Sequence, residues 1–91
     1  MRSRPRNRSN GVQLSPRQVQ AVRLAADGLS DVAAAAVMGV AVTTYRTHLL
    51  QARWRLGAVN RKVAAVLAWR AGLIPRPEEK ILRGGLRRLR A

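Results

Sequence analysis

The sequence has no cysteine, one histidine and only four acidic residues. Without cysteine, disulfides and thiolate metal sites are excluded. So few acids and histidines leave no nucleophile–base pair and no cluster of metal ligands, and we therefore expect a protein that is not an enzyme and uses no metal or cofactor. Phenylalanine is also absent, and the aromatic residues are two Trp and one Tyr. The hydrophobic core must therefore be small and largely aliphatic.

Long hydrophobic runs are missing as well. The longest apolar stretch, residues 32–42, is rich in alanine and falls far short of the roughly 20 residues needed to span a bilayer. The arginines near the N-terminus are not followed by the apolar region of a signal peptide. We expect no membrane partner and a cytoplasmic location, in the nucleoid of a bacterium or in the host cytoplasm if the protein is viral.

Positive charge is what the sequence has in excess. The 91 residues include 18 Lys+Arg against 4 Asp+Glu, a formal net charge of +14. Such a charge repels itself in a compact monomer and favours a polyanionic partner. All the cations except Lys62 and Lys80 are arginine, whose planar fork of donors suits phosphates and guanine edges. The composition leaves DNA, RNA and an acidic membrane surface as candidate partners, and the excess of arginine suits nucleic acid.

Between residues 14 and 74 no segment shows the sustained alternation of apolar and polar residues that is typical of a strand, and alanine is abundant. This region is therefore predicted to be an all-α domain. Ser15, with Pro16 in the first helical position and Gln18 three residues after the serine, forms a capping box for the first helix. Gly28 is placed to end that helix in a left-handed turn. Three more helices are predicted, over residues 31–38, 42–56 and 61–71. The first and third of these have N-cap residues at Ser30 and Asn60, and the three helices end at Gly39, Gly57 and Gly72.

The third helix combines an apolar stripe with a polar face. Its apolar positions, spaced by three and four residues, are Tyr45, Leu49, Ala52 and Leu56. Only a few residues around Gly39 separate this helix from the second, as in a helix-turn-helix whose second helix enters the major groove. The opposite face carries Thr43, Arg46, Thr47, Leu50, Gln51 and Trp54. On that face Arg46 can bond guanine bidentately, and Thr47 can contact a thymine methyl group or donate a hydrogen bond.

Two basic segments flank the helical region. Residues 1–12 are polar and Arg-rich, and we expect a disordered arm. Pro75 and Pro77 end the region that is predicted to be helical. Residues 75–91 form a basic tail, in which Gly84-Gly85 is predicted to interrupt any helix. The tail can add phosphate contacts, touch a membrane surface or bind an acidic partner, although the paired glycines argue against one continuous membrane helix. The predicted organisation is an arm (1–12), a helix-turn-helix domain (13–74) and a tail (75–91).

Four short motifs follow one another through the helical region: Leu14-Ser15-Pro16-Arg17, then Gly28-Leu29-Ser30 with Ala35, then Thr44 with Arg46 and His48, then Leu56-Gly57 with Asn60-Arg61. In this order and spacing, residues 14–74 resemble the LuxR-type (GerE-like) DNA-binding domain. The resemblance implies a four-helix fold in which the third helix reads double-stranded DNA and the fourth forms a homodimer.

The resemblance also implies roles for individual residues. The residues expected to read bases are Arg46, Thr47 and Leu50. The resemblance places Thr44 at a phosphate-contacting position, and further phosphate contacts are expected from Thr43, Gln51, Arg53 and Arg61. Through charge alone, phosphate contacts are also expected from Arg4 and Arg6 on the arm. The expected dimer contacts are Val63, Val66 and Trp69, with the alternative that the apolar residues of the fourth helix complete a core that lacks phenylalanine.

Three departures from the family pattern leave a second function open. Ala41 stands where the family has a capping serine, and Leu50 and Trp54 make the exposed face of the third helix unusually apolar. The leading hypothesis is a sequence-specific DNA-binding transcriptional regulator. The alternative is a protein-interaction module that binds the transcription machinery or another regulator and modulates it. A general, charge-driven nucleic-acid binder is the third possibility.

Overall fold

The structure, a computed structural model, describes residues 12–90. Within that range the chain forms five helices and no strand: α1 (Pro16–Ala26), α2 (Asp31–Met38), α3 (Val42–Leu56), α4 (Arg61–Arg70) and α5 (Glu79–Arg90). The predicted all-α class is confirmed. Residues 1–11 of the predicted disordered arm, with Arg4 and Arg6, lie outside the described residues.

The predicted start signals form the expected hydrogen bonds. The Ser15 hydroxyl accepts from the amide of Gln18 at 3.1 Å, and the Gln18 side-chain oxygen accepts from the amide of Ser15 at 3.0 Å, which completes the capping box. The Ser30 hydroxyl caps α2 by accepting from Ala33 N at 3.1 Å, and the Asn60 side chain caps α4. The start of α3 differs, because the N-cap residue Ala41 provides no side-chain hydrogen bond.

The turn between α2 and α3 depends on Gly39. Its φ of +70° lies in the left-handed region that side chains disfavour. In this conformation the amide of Val40 turns back to bond the carbonyl oxygen of Ala35 at 3.0 Å, which ends α2 and allows α3 to begin at Val42.

The core is built from small side chains, as the composition predicts. Tyr45 is the largest fully buried residue, and its hydroxyl donates to the carbonyl oxygen of Ala21 at 3.0 Å. Burial raises the pKa of this hydroxyl, so it remains a donor at neutral pH. Around it pack Val22, Ala25, Ala34, Ala35, Met38, Leu49, Ala52, Ala65 and Ala68. Alanine at so many contacts allows the helices to approach closely.

The fifth helix corrects two expectations, the count of four helices and the break at Gly84-Gly85. α5 runs through both glycines. A side chain at Gly85 would place its Cβ 2.5 Å from both the carbonyl oxygen of Lys62 and Cγ2 of Val66. The glycine therefore permits close packing of α5 on α4, and packing outweighs its low helix propensity. The predicted domain boundary at residue 74 stays a prediction.

None of the helices in residues 12–90 is both long and apolar enough to cross a membrane.

Candidate nucleic-acid interface

The outer face of α3 carries the residues predicted to read bases. Tyr45, Leu49 and Ala52 are buried in the core, so the opposite side of the helix faces outward. The exposed residues of this face, here called the α3 surface, are Thr43, Thr44, Arg46, Thr47, Leu50, Gln51 and Trp54. The structure therefore places all three predicted base-reading residues on one exposed surface.

Asp31, the first residue of α2, holds two arginines at the edge of the α3 surface. Its Oδ2 accepts from Nε of Arg46 at 2.9 Å, and its Oδ1 pairs with Nη2 of Arg61. Hydrogen bonds from Arg46 and then from Arg61 hold the pKa of the Asp31 carboxyl below its ordinary value, against the smaller effect of burial. The carboxylate therefore stays ionised and links the starts of α2 and α4 to α3.

Asp31 leaves part of Arg46 accessible. The side chain of Arg46 is 59% exposed, whereas that of Asp31 is only 21% exposed. Because the contact uses Nε, the two terminal Nη groups are not the ones bonded to Asp31. A guanidinium that is held at Nε, with its Nη groups not bonded to Asp31, suits bidentate contact with the N7 and O6 acceptors of guanine.

Thr47 and Thr43 bond to each other within α3. The Thr47 hydroxyl donates to the carbonyl oxygen of Thr43 at 3.1 Å. Contact through the Thr47 methyl group, which suits the methyl of thymine, would break no existing hydrogen bond. Thr43 and Thr44 lie exposed in the first turn of α3, beside the backbone amides that the Ala41 cap leaves without a side-chain acceptor.

Three other residues predicted to contact phosphate, all among the described residues, have partners within the chain. Gln51 accepts from the side chain of Gln18 at 3.2 Å, which joins α3 to α1. Arg53 donates to the carbonyl oxygen of Val59 at 2.6 Å, which anchors the turn between α3 and α4. Arg61 is held by Asp31 and is one-third exposed. Gln51 and Arg53 therefore tie α3 to its neighbours, and Arg61 ties α4 to α2. Whether these three side chains also contact phosphate stays a prediction.

An open cleft lies between α2, α3 and the turn that precedes α4. Four of its lining residues, Arg46, Leu50, Arg53 and Arg61, belong to the predicted set, and Asp31, Leu49, Val59 and Asn60 complete it. From the sequence, Asp31 was not predicted to belong to this site. Asp31 is one of only four acidic residues in a strongly basic chain. This scarcity of acids was the signal that it would pair with arginine.

The predicted dimer contacts on α4 have different environments. Val63 and Val66 are buried within the chain, with 1% and 0% of their surface exposed, and Val66 lies against Gly85 of α5. Trp69 is partly buried against the core. In this conformation α5 thus covers the α4 face that carries Val66, so a dimer through that face requires α5 to move.

The chain has recognisable relatives, although no family model and no solved structure matches it. It is 37% identical over 65 residues, 71% of its length, to the "HTH-type quorum sensing-dependent transcriptional regulator VjbR" of Brucella ovis, and equally to those of Brucella abortus and Brucella suis. The chain spans about a quarter of the length of these relatives. The similarity is distant and partial, and it supports the LuxR-like resemblance that the motifs indicate. The relatives are named as regulators and not as enzymes.

Proposed function

We propose that this chain binds double-stranded DNA in a sequence-specific manner and regulates transcription, with α3 in the major groove. The observation that carries the proposal is Arg46, exposed on the second helix of a helix-turn-helix and held by Asp31 with its terminal nitrogens unbonded to that carboxylate. Net charge of +14 supports a polyanionic partner. The names of the distant relatives support DNA-dependent regulation.

In the proposed complex, phosphate contacts set the position of α3 and side chains on its surface read the bases. Thr43 and Thr44 hold a phosphate together with the backbone amides of the first turn, where the helix dipole favours an anion. Arg46 contacts guanine through its Nη groups. Thr47 and Leu50 offer apolar groups to thymine methyls.

The test is selection of bound duplexes from a random pool at near-physiological salt, followed by affinity measurements on the winning sequence. We expect one enriched motif that contains guanine. The Arg46→Ala variant should lose the enrichment while still binding DNA weakly through charge. Arg23→Ala on α1 is the matched control, because it removes the same charge from an exposed helix position away from the α3 surface. Equal binding to every duplex, unchanged by Arg46→Ala, would overturn the proposal.

A second candidate function is supported by exposed apolar side chains. Trp54 is 69% exposed and Leu50 is 38% exposed on the α3 surface, and Val59 is exposed at the adjacent cleft. Such a patch suits a protein partner in the transcription machinery. If this function holds, a defined partner stays bound after nuclease treatment, and Trp54→Ser releases it. Loss of every partner after nuclease would exclude it.

A homodimer through α4 is a separate proposal. It predicts half-sites about one helical turn apart in the selected sequence, and it requires α5 to uncover Val66. Sedimentation of the free protein and of its DNA complex measures the stoichiometry directly. One chain per duplex, with a selected motif that lacks two-fold symmetry, would exclude the dimer.

A further inference from the structure

The two sides of α5 differ in character. Leu82 and Gly85 are buried against the rest of the chain, and Ile81 and Leu86 are partly buried. The exposed side carries Lys80, Arg83, Arg87 and Arg88. Arg83 is paired with Glu79 at 3.0 Å, whereas Arg87 and Arg88 lie in the half of the helix beyond the glycine pair. Arg87 and Arg88 are here called the α5 basic end.

The direction of α5 places this basic end beside the start of α4. The amide of Glu78, just before α5, bonds the carbonyl oxygen of Ala26 at the end of α1 at 2.8 Å. Six and seven residues later, Gly84 and Gly85 lie against Lys62, the second residue of α4. α5 therefore runs back along α4. With a rise of about 1.5 Å per residue, Arg87 and Arg88 lie about 3–5 Å further along the axis than Gly85.

The start of α4 is in turn fixed to the α3 surface. Arg61, the first residue of α4, pairs with Asp31, and Asp31 pairs with Arg46. Lys62, which contacts the glycines of α5, is the next residue. A short series of contacts thus joins the reading helix to the α5 basic end, and it places both on the same end of the α4–α5 pair.

We propose that the α5 basic end is a second DNA-binding surface, in which Arg87 and Arg88 contact backbone phosphates beside the base pairs that α3 reads. The inference rests on the proposed function. Duplex DNA carries about one negative charge per 1.7 Å of its axis, so a duplex held by α3 offers phosphates over the whole width of the protein. These contacts add affinity without adding sequence preference.

An acidic membrane is a poorer match for the same surface. A helix that lies on a membrane inserts its apolar side between the lipids. In α5 most of that side is occupied, because Leu82 is 5% exposed and Gly85 is packed on the backbone of Lys62. Leu89 is the exposed large apolar residue of the helix, at 40%. Membrane binding would therefore require α5 to leave α4, whereas phosphate binding uses the side that is already exposed.

The experiment compares two double variants of the full chain in DNA-binding titrations at several salt concentrations. Arg87→Gln with Arg88→Gln removes the basic end and keeps good helix-forming residues. Arg70→Gln with Arg76→Gln is the matched control, because it removes the same charge at the opposite end of the α4–α5 pair. Each protein is titrated with the selected duplex and with an unrelated duplex of equal length, and circular dichroism measures its helix content.

We expect the basic-end variant to reduce the slope of log K against log salt by about 1.8, or about 0.9 for each lost phosphate contact. Its affinity for both duplexes should fall by the same factor, so that the preference between them is unchanged. The control should keep the wild-type slope. If the double Gln variant has lost helix, the single variants Arg87→Gln and Arg88→Gln provide the second test, because each should reduce the slope by about 0.9 and an unchanged slope in both would contradict the inference.

Two results would overturn the inference. One is a wild-type slope in a folded basic-end variant, and if that variant has also lost binding to anionic phosphatidylserine vesicles, the basic end binds a membrane instead. The other is an equal loss of slope in both variants, which would mean that only total charge matters. Failure of the proposed function can be distinguished from failure of this inference. It would appear as equal affinity of the wild type for both duplexes, whereas the salt slopes of the variants would still show whether α5 contacts phosphates.

Discussion

At the scale of single residues, Asp31 connects the fold to the proposed chemistry. It is one of four acids in the chain, and it accepts from Arg46 on α3 and pairs with Arg61 on α4. An arginine on an exposed helix samples many rotamers, and fixing it beforehand reduces the entropy lost on binding. Asp31 therefore acts as a positioning residue for Arg46.

Asp31→Asn should change specificity more than overall affinity. Asparagine removes the charge that holds Arg46, so the guanidinium is less well oriented toward guanine. A bidentate contact provides about 1–3 kcal/mol of discrimination between bases. We expect the ratio of the affinities for the selected duplex and for a duplex with that guanine replaced to fall several-fold. Binding to unrelated DNA should stay equal or strengthen, because a negative charge is lost. Competition titrations measure both, and unchanged discrimination would contradict the role.

The same carboxylate predicts a pH dependence of stability. Its pKa is lower in the folded protein than its ordinary value near 3.9. Ionised Asp31 therefore contributes stability above about pH 4, and this is lost as the pH falls through the lower, folded pKa. We expect the wild type to lose roughly 1 kcal/mol more than Asp31→Asn between pH 5 and pH 2.5 in urea unfolding. Equal losses would mean that the pair does not stabilise the fold.

At the scale of elements, α3 is the one predicted DNA-reading element and it begins without a side-chain cap. Ala41 already has the extended backbone of an N-cap residue, with φ −68° and ψ 154°. Ala41→Ser should therefore raise the free energy of unfolding by about 1 kcal/mol, because its hydroxyl can accept from an amide of the first turn. Ala41→Val, which offers no acceptor, is the control. A serine variant no more stable than the valine variant would contradict this.

The two glycines of α5 should respond oppositely to the same substitution. Alanine at Gly85 meets the backbone of Lys62 and the side chain of Val66 at 2.5 Å, neither of which can easily move. We expect Gly85→Ala to destabilise the protein by about 1–3 kcal/mol, as overpacking does.

Alanine at Gly84 meets mainly the flexible end of the Lys62 side chain. Gly84→Ala should therefore be neutral or stabilising by up to about 1 kcal/mol, because alanine favours a helix. Thermal and urea unfolding measure both variants under the same conditions. Equal destabilisation by the two substitutions would mean that α5 does not pack on α4 through Gly85.

At the scale of the whole molecule, the charge of +14 acts against the compact state. Most of the cations have no acidic partner available, since there are 18 Lys+Arg and 4 Asp+Glu. Screening this repulsion should stabilise the fold. We expect the thermal midpoint to rise by several degrees between about 10 mM and 150 mM salt, measured by calorimetry. A midpoint that falls over this range would indicate that the Asp31 pairs outweigh the repulsion.

The local features of this protein are determined by its sequence. The capping box at Ser15 and Gln18 and the turn at Gly39 depend on residues only a few positions apart, so their side-chain chemistry and backbone preferences are readable without a structure. Helical periodicity likewise gives the exposed side of α3 with Arg46, Thr47 and Leu50 on it. The sequence alone therefore shows which residues of the candidate site face outward.

What only the tertiary structure decided is how distant residues meet. Asp31 is 15 residues from Arg46 and 30 from Arg61, and no local pattern pairs them. Gly84-Gly85 has the local propensity of a break, yet α5 continues through both residues because it packs closely on α4, where Lys62 and Val66 leave no room for a side chain at Gly85. Both features depend on contacts between helices that are distant in sequence. For this reason the partner of Arg46 and the fifth helix could be identified only from the tertiary structure.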